Sequence, residues 1–267
     1  MAPLAFCTVI RGGQLPEARV LALSLRRHHP RSSIHVLFVD GGGARRGREP
    51  WTPVAAEELG LPGLPALRSR YSPRELAAAL KPSFFSWLLF ERSVSRLLYL
   101  APDTLVLAPL SGLARRLESR SVLFVPHRLE PAPGDARKPD EMTFIDKGSY
   151  NLDFLALRGD ARARRFLSWW AERLSRYCVD DVSKGLYLDQ RWCDLAPGLF
   201  EGVEVLRDER FGAAAWGRGC EGLRWDKGAL WSRRARAAFF QFQGVADAPG
   251  LRPLFRSYEA QLRRNGA

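Results

Sequence analysis

Apolar positions along the chain fall into short runs separated by glycine, proline and polar punctuation, and the period of each run predicts an element. Residues 5–10 form a short apolar run, followed by Arg11-Gly12-Gly13 and, from Pro16, an alanine- and leucine-rich stretch to His29. Strand, turn, helix is the simplest parse. Residues 33–40 alternate Ile34, Val36 and Phe38 and predict a second strand, completing a βαβ opening. Ser72-Pro73-Arg74-Glu75 combines an N-cap serine, a proline at the first helical position and a glutamate three residues after the cap, a capping box that starts a helix. Lys81-Pro82 predicts an interruption, because proline removes a donor and disfavours helix at the preceding residue. A second amphipathic stretch with Phe84, Phe85, Leu88 and Leu89 then leads into residues 97–107, two apolar runs hinged on Ala101-Pro102-Asp103.

Further strands are predicted at 122–125, 150–157, 203–206 and 238–242. A proline-rich loop runs from His127 to about Gly148, and Gly159-Asp160 opens a helix with Phe166, Trp170, Leu174 and Tyr177 at helical spacing. Those aromatics read as core. A short helix at 185–192 carries Asp189-Gln190, and a last helix ends the chain. Strands alternating with helices make the fold class α/β.

At 267 residues, 46% of them apolar and 26% charged, the chain has the composition of a globular protein. No apolar run approaches the roughly 20 residues that span a bilayer, and the first residues lack a signal-peptide pattern, so the expected location is the cytoplasm. Cys7, Cys178, Cys193 and Cys220 show no metal or disulfide spacing and read as buried thiols. The net charge of +12 favours anionic partners, such as phosphorylated small molecules or an anionic membrane touched peripherally. No nucleic-acid-binding motif accompanies the arginine pairs, so no specific nucleic acid is expected.

The chemistry-bearing residues gather where strands end. In an open α/β sheet, ligands bind beyond the carboxyl ends of the strands. Asp103 sits at such an end, where a carboxylate can hold a divalent cation bridging a diphosphate, or can simply cap a turn. The first strand end at residues 8–11, with Thr8 and Arg11, and the second, with Asp40, join Lys81 and Asp103 around one expected pocket. His127 is either a loop anchor or a substrate contact, and Asn151 either ties strand to loop or joins the donor set. Asp153 is expected to pair with an arginine, or to supply a pocket carboxylate. The arginine-rich residues 45–48 offer further cations.

The ordered set Lys81-Pro82, Tyr99-Leu100-Ala101-Pro102-Asp103, His127, Tyr150-Asn151-Leu152-Asp153-Phe154, Trp169-Trp170 and Asp189-Gln190 resembles the nucleotide-sugar glycosyltransferases of the GT-A fold. The likeness is to a bacterial branch near the retaining galactosyltransferases and glycogenin-like enzymes, over residues 5–244. It implies one GT-A-like domain with a mainly parallel mixed sheet, residues 1–126 forming a nucleotide-sugar-binding half and 127–267 an acceptor-side half. It implies transfer of a hexose from a nucleoside diphosphate sugar to a hydroxyl-bearing acceptor, a cell-surface glycan or lipid-linked precursor. Asp189 and Gln190 become the catalytic pair, and Thr8, Arg11, Asp40, Lys81, Asp103 and Asn151 the donor-binding set. Three positions depart from the family pattern. Ala101 replaces the first carboxylate of the DxD motif, Asp153 replaces glycine, and Gln241 replaces a metal-binding histidine. With Asp103 and the Gln241 amide as ligands, Mn²⁺ or Mg²⁺ is expected to bind weakly and with the nucleotide's help, or basic side chains take over its electrostatic task. The rival is a pseudo-glycosyltransferase that binds nucleotide as a regulatory subunit.

Overall fold

The computed structural model describes residues 4–40, 49–131, 141–212, 222–233, 235–242 and 249–267. The opening is β1 (Ala5–Ile10), α1 (Leu15–His28), β2 (Ile34–Phe38) and β3 (Thr52–Ala55), followed by α2 (Leu64–Arg70) and α3 (Pro73–Ser86). A π turn at Trp87–Glu91 leads to β4 (Arg96–Leu100), β5 (Thr104–Val106), α4 (Ser111–Arg116) and β6 (Val122–Phe124). After α5 (Glu141–Lys147) come β7 (Phe154–Arg158), α6 (Ala161–Tyr177) and the two-residue strands β8 (Asp180–Asp181) and β9 (Leu186–Tyr187). Then follow α7 (Gln190–Cys193), α8 (Ala196–Leu199), β10 (Val203–Val205), a small antiparallel set of β11 (Leu223–Asp226), β12 (Ala229–Ser232) and β13 (Ala235–Arg236), β14 (Phe239–Gln241) and α9 (Arg252–Arg264).

Seven strands form the main sheet in the order β10-β6-β7-β4-β1-β2-β3. Its neighbours are parallel except around β7, which runs antiparallel to both β4 and β6. β5 leaves the sheet and pairs antiparallel with β14, Thr104 opposite Gln241. The second half of the chain therefore supplies β7 and β10 to the sheet begun by the first. Strand alternation splits the core. Cys7, Val9, Leu97 and Tyr99 face α3 and α6, whereas Phe6, Ile10, Leu98 and Leu100 face α1 and α4.

The capping box forms as expected: Ser72 Oγ accepts from the Glu75 amide and Glu75 Oε2 accepts from the Ser72 amide. The interruption at Lys81-Pro82 does not. α3 runs through Pro82 to Ser86, although proline cannot donate to the carbonyl of Ala78. Pro82, Phe84 and Phe85 are all buried, Phe85 lying 5.3 Å from Tyr99 and 6.4 Å from Trp170, so tertiary packing outweighs a local cost of about 3 kcal/mol. The strand expected from residue 150 begins at Phe154, because 150–153 turn back on the sheet edge with Asn151 donating its amide to the Val125 carbonyl. Residues 185–188 belong to the β8–β9 hairpin rather than a helix, since Asp180–Asp181 supply a pairing partner; helix starts at Gln190. Part of the proline-rich loop is helical as α5. Tyr177 ends α6 at 46% exposure rather than in the core, one turn beyond buried Leu174. Cys7, Cys178 and Cys193 are free and buried, while Cys220 and residues 41–48 lie outside the described residues.

Candidate active site

At the carboxyl ends of β1 and β4 lies a cavity of about 220 Å³. Val9 and Arg11 wall it from β1, Tyr99 and Asp103 from β4 and its turn, and Arg74, Ala78 and Lys81 from α3. Asp153 enters from the approach to β7, and residues 187–190 close the far side. Because β7 runs antiparallel, its start rather than its end lies at this edge.

The electrostatic centre of the cavity is an ion pair. Lys81 Nζ donates to Asp189 Oδ2 at 2.8 Å and to the Leu152 carbonyl at 3.1 Å, and sits 4.8 Å from the Tyr99 ring centroid. The two side chains are 9% and 6% exposed, so neither charge is met mainly by water. Burial pulls the Lys81 pKa down, but the charge of Asp189, with Tyr99 and Asp153, outweighs it and the ammonium is held well above its ordinary range. Burial raises both the Tyr99 phenol and the Asp153 carboxyl; Lys81 opposes each rise. Asp189 is fixed from its other side as well, since its carbonyl accepts from Trp170 Nε1 at 3.2 Å. The preceding Leu188 has φ +48°, a left-handed backbone that a branched residue adopts at a cost on the order of 1 kcal/mol, and its amide is held by the Val179 carbonyl.

The mouth is tied across three segments. Arg74 donates to Asp180 Oδ2 at 2.9 Å and to the Tyr187 hydroxyl at 3.1 Å. Gln190 Nε2 donates to the Lys147 carbonyl at 2.8 Å. Gly148, at φ +110°, lets Gln190 approach: a Cβ there would stand 2.9 Å from Gln190 Cγ. His127 stacks on Phe144 at 4.8 Å and is lowered by burial to a pKa of about 3, the nearby Gln190 side chain opposing the fall. Between the ordinary pKa near 6.5 and that value the unfolded chain binds a proton that the folded chain refuses. His127 therefore favours folding fully above pH 6.5 and progressively less below it, by about 1.4 kcal/mol per pH unit. Chemical denaturation of the wild type and His127→Gln between pH 7 and 4 checks this: the wild type should lose more stability, and parallel curves would remove His127 as the cause.

Of the residues expected at the site, Arg11, Lys81, Asp103, Asp189 and Gln190 line the cavity together. Thr8 is buried on the opposite face of β1, and Asp40 is exposed beyond β2, accepting from the Gly12 amide. Asn151 and Gln241 meet behind the cavity, Asn151 Nδ2 donating to Gln241 Oε1 at 2.6 Å while Asn151 Oδ1 accepts from the Asp153 amide at 3.0 Å. Asp153 forms no ion pair with an arginine among the described residues; Lys81 and Arg74 are the cations that act on it. Arg74 and Tyr187 were not anticipated. The signal for Arg74 was its spacing, since residues 74, 78 and 81 share one face of a helix.

Gln241 Oε1 is engaged by Asn151 Nδ2. No group of three His, Cys, Asp or Glu side chains among the described residues is spaced to hold a metal ion. These side chains do not fit a divalent ion held by the protein.

No family model matches the chain. It is 27% identical over 239 residues to the uncharacterized protein YfnF of Bacillus subtilis (strain 168), covering 85% of this chain and 76% of that protein. Among solved structures it superposes on the galactosyltransferase LgtC in complex with donor and acceptor sugar analogs with a TM-score of 0.59, at 14% identity, over 98% of this chain and 96% of LgtC. The glycosyltransferase GlyE of Streptococcus pneumoniae TIGR4 matches at a TM-score of 0.57 and 12% identity, over 99% of this chain and 63% of GlyE. The fold is thus mixed α/β of the GT-A glycosyltransferase kind.

Proposed function

We propose that the chain is a glycosyltransferase that moves a hexose from a nucleoside diphosphate sugar to a hydroxyl of a glycan or lipid-linked acceptor. The observation that carries this reading is the buried Asp189 carboxylate, held by Lys81 in a cavity at the ligand-binding edge of a GT-A sheet. In the reaction the bond from the anomeric carbon to the diphosphate oxygen breaks and one to the acceptor oxygen forms. The acceptor proton leaves, and nucleoside diphosphate is released. Positive charge develops on the sugar ring meanwhile, and a fixed carboxylate nearby stabilises it.

Arg11 and Arg74 are the cations placed to meet the diphosphate: Lys81 is buried against Asp189, whereas the Arg74 ion pair with Asp180 is open to solvent and can be shared with an incoming anion. Asp103 and Asp153 would repel phosphate but suit hydroxyls, so they accept hydrogen bonds from the donor's sugars. Metal dependence is therefore shallow. No described helix is long and apolar enough to cross a membrane, and the basic surface suits an acceptor carried near an anionic one.

The test is thermal denaturation with a panel of nucleoside diphosphates and their sugars, followed by assay of turnover with and without a chelator. One base should raise the melting temperature by several degrees, since selective binding to the native state stabilises it. Chelation should lower turnover by less than about tenfold. Loss of turnover to background on chelation would refute the cation assignment. Stabilisation by a nucleotide with no sugar ever transferred would favour the regulatory pseudo-enzyme.

A further inference from the structure

A second cavity, of about 520 Å³, lies along β3, the last strand of the sheet, and reaches the start of β2. His35 is the second residue of β2, Trp51 and Thr52 enter β3, and Trp87 and Arg92 precede β4. Its volume falls within the roughly 300–1,000 Å³ typical of small-molecule sites. Its lining also has the matching character, apolar walls with a few convergent polar groups.

The π turn builds one wall. Closing a ring between residues five apart, the Arg92 amide donates to the Trp87 carbonyl at 3.0 Å, which brings the two side chains together. The Arg92 guanidinium carbon lies 4.3 Å from the Trp87 ring centroid and covers one face of the indole. Glu58, exposed on the other rim, brings the opposite charge. Both ring nitrogens of His35 are shielded from water and have no hydrogen-bond partner among the described residues, and a polar group in that position calls for one. Burial, and after it the Arg92 charge, lower the pKa of that ring. Among the described residues that line the cavity the formal charges are one cation, Arg92, and one anion, Glu58, a balance that favours a neutral ligand.

We propose that this cavity binds a neutral glycosyl unit, the C–H face of the sugar ring lying against Trp87 and its hydroxyls meeting Glu58, Arg92 and Thr52. It is a glycan anchor separate from the catalytic cavity, and it stands whether or not the chain transfers sugar. A nucleoside is the competing occupant, since its base also stacks on an indole.

The experiment is saturation-transfer NMR on the full chain with methyl β-D-glucopyranoside, methyl β-D-galactopyranoside and lactose, against uridine and adenosine. At least one glycoside should bind saturably with a Kd in the millimolar range, about −4 kcal/mol. Trp87→Ala and Arg92→Ala should each weaken it roughly tenfold, and Arg74→Ala, at the catalytic cavity, should leave it unchanged. Arg92 is exposed, so its variant keeps the fold should Trp87→Ala fail to. The proposal is overturned by no saturable glycoside binding up to on the order of 100 mM. Binding indifferent to the Trp87 and Arg92 variants, binding lost in Arg74→Ala, or nucleosides binding in place of glycosides would overturn it equally.

Discussion

Asp189→Asn should leave nucleotide-sugar binding nearly intact and lower turnover by roughly 10² or more. The substitution keeps shape and hydrogen-bonding capacity, so what it removes is charge. Charge matters most at this position because the carboxylate is 6% exposed and is therefore little screened. The complication is that Lys81 loses its anion too. Turnover must accordingly be read per folded molecule, with the melting temperature and donor affinity measured on the same sample. A carboxylate that serves catalysis gives a fall in kcat out of proportion to any fall in affinity. One that serves only as the Lys81 counter-ion gives a lowered melting temperature with turnover preserved, and that outcome would remove Asp189 from the chemistry.

Lys81→Met should be the most damaging single change to stability. Removing one partner of a buried ion pair leaves the other uncompensated, which costs about 3–5 kcal/mol and, for a chain of this size, roughly 10 °C in melting temperature. Lys81→Met with Asp189→Leu should recover most of that loss while abolishing turnover, because an apolar pair needs no neutralisation. A double variant no more stable than the single would show that the loss comes from the ammonium's contacts with the Leu152 carbonyl and the Tyr99 ring rather than from an uncompensated Asp189 charge. The pH profile gives an independent check. The folded pKa of Lys81 lies above its unfolded value near 10.4, so its contribution is complete below that pH and is lost as pH rises beyond it. Between pH 6 and 9 the Lys81 term should therefore be flat.

The parts legible in sequence were those set by local physics. The apolar period of residues 5–10 and 33–40, the capping box at Ser72 and the Asp160 cap, whose Oδ1 accepts from the Ala163 amide at 2.9 Å, fix their elements without outside help. What escaped was decided by distant neighbours. Nothing near Pro82 announces that a buried face against α6 will carry the helix through it. Nothing near Asp180 announces a strand, because the strand exists only as the partner of Leu186–Tyr187. The site divides in the same way. Asp103, Lys81 and Asp189 follow from strand ends and family spacing, but alternation along β1 turns Thr8 away from Val9, and Gln241 meets Asn151.

The place of β7 in the sheet also governs how the protein is made. β4 and β6 are complete once residue 124 has left the ribosome, but they do not touch; the strand that joins them ends at residue 158. For roughly 30 residues of synthesis, about 2–6 s at ordinary elongation rates, the nascent chain carries two apolar strands with unpaired edges. Leu97–Leu100 and 122–125 are then open to pairing with any other extended chain, which makes the interval before Phe154 emerges the time when this protein most needs a chaperone.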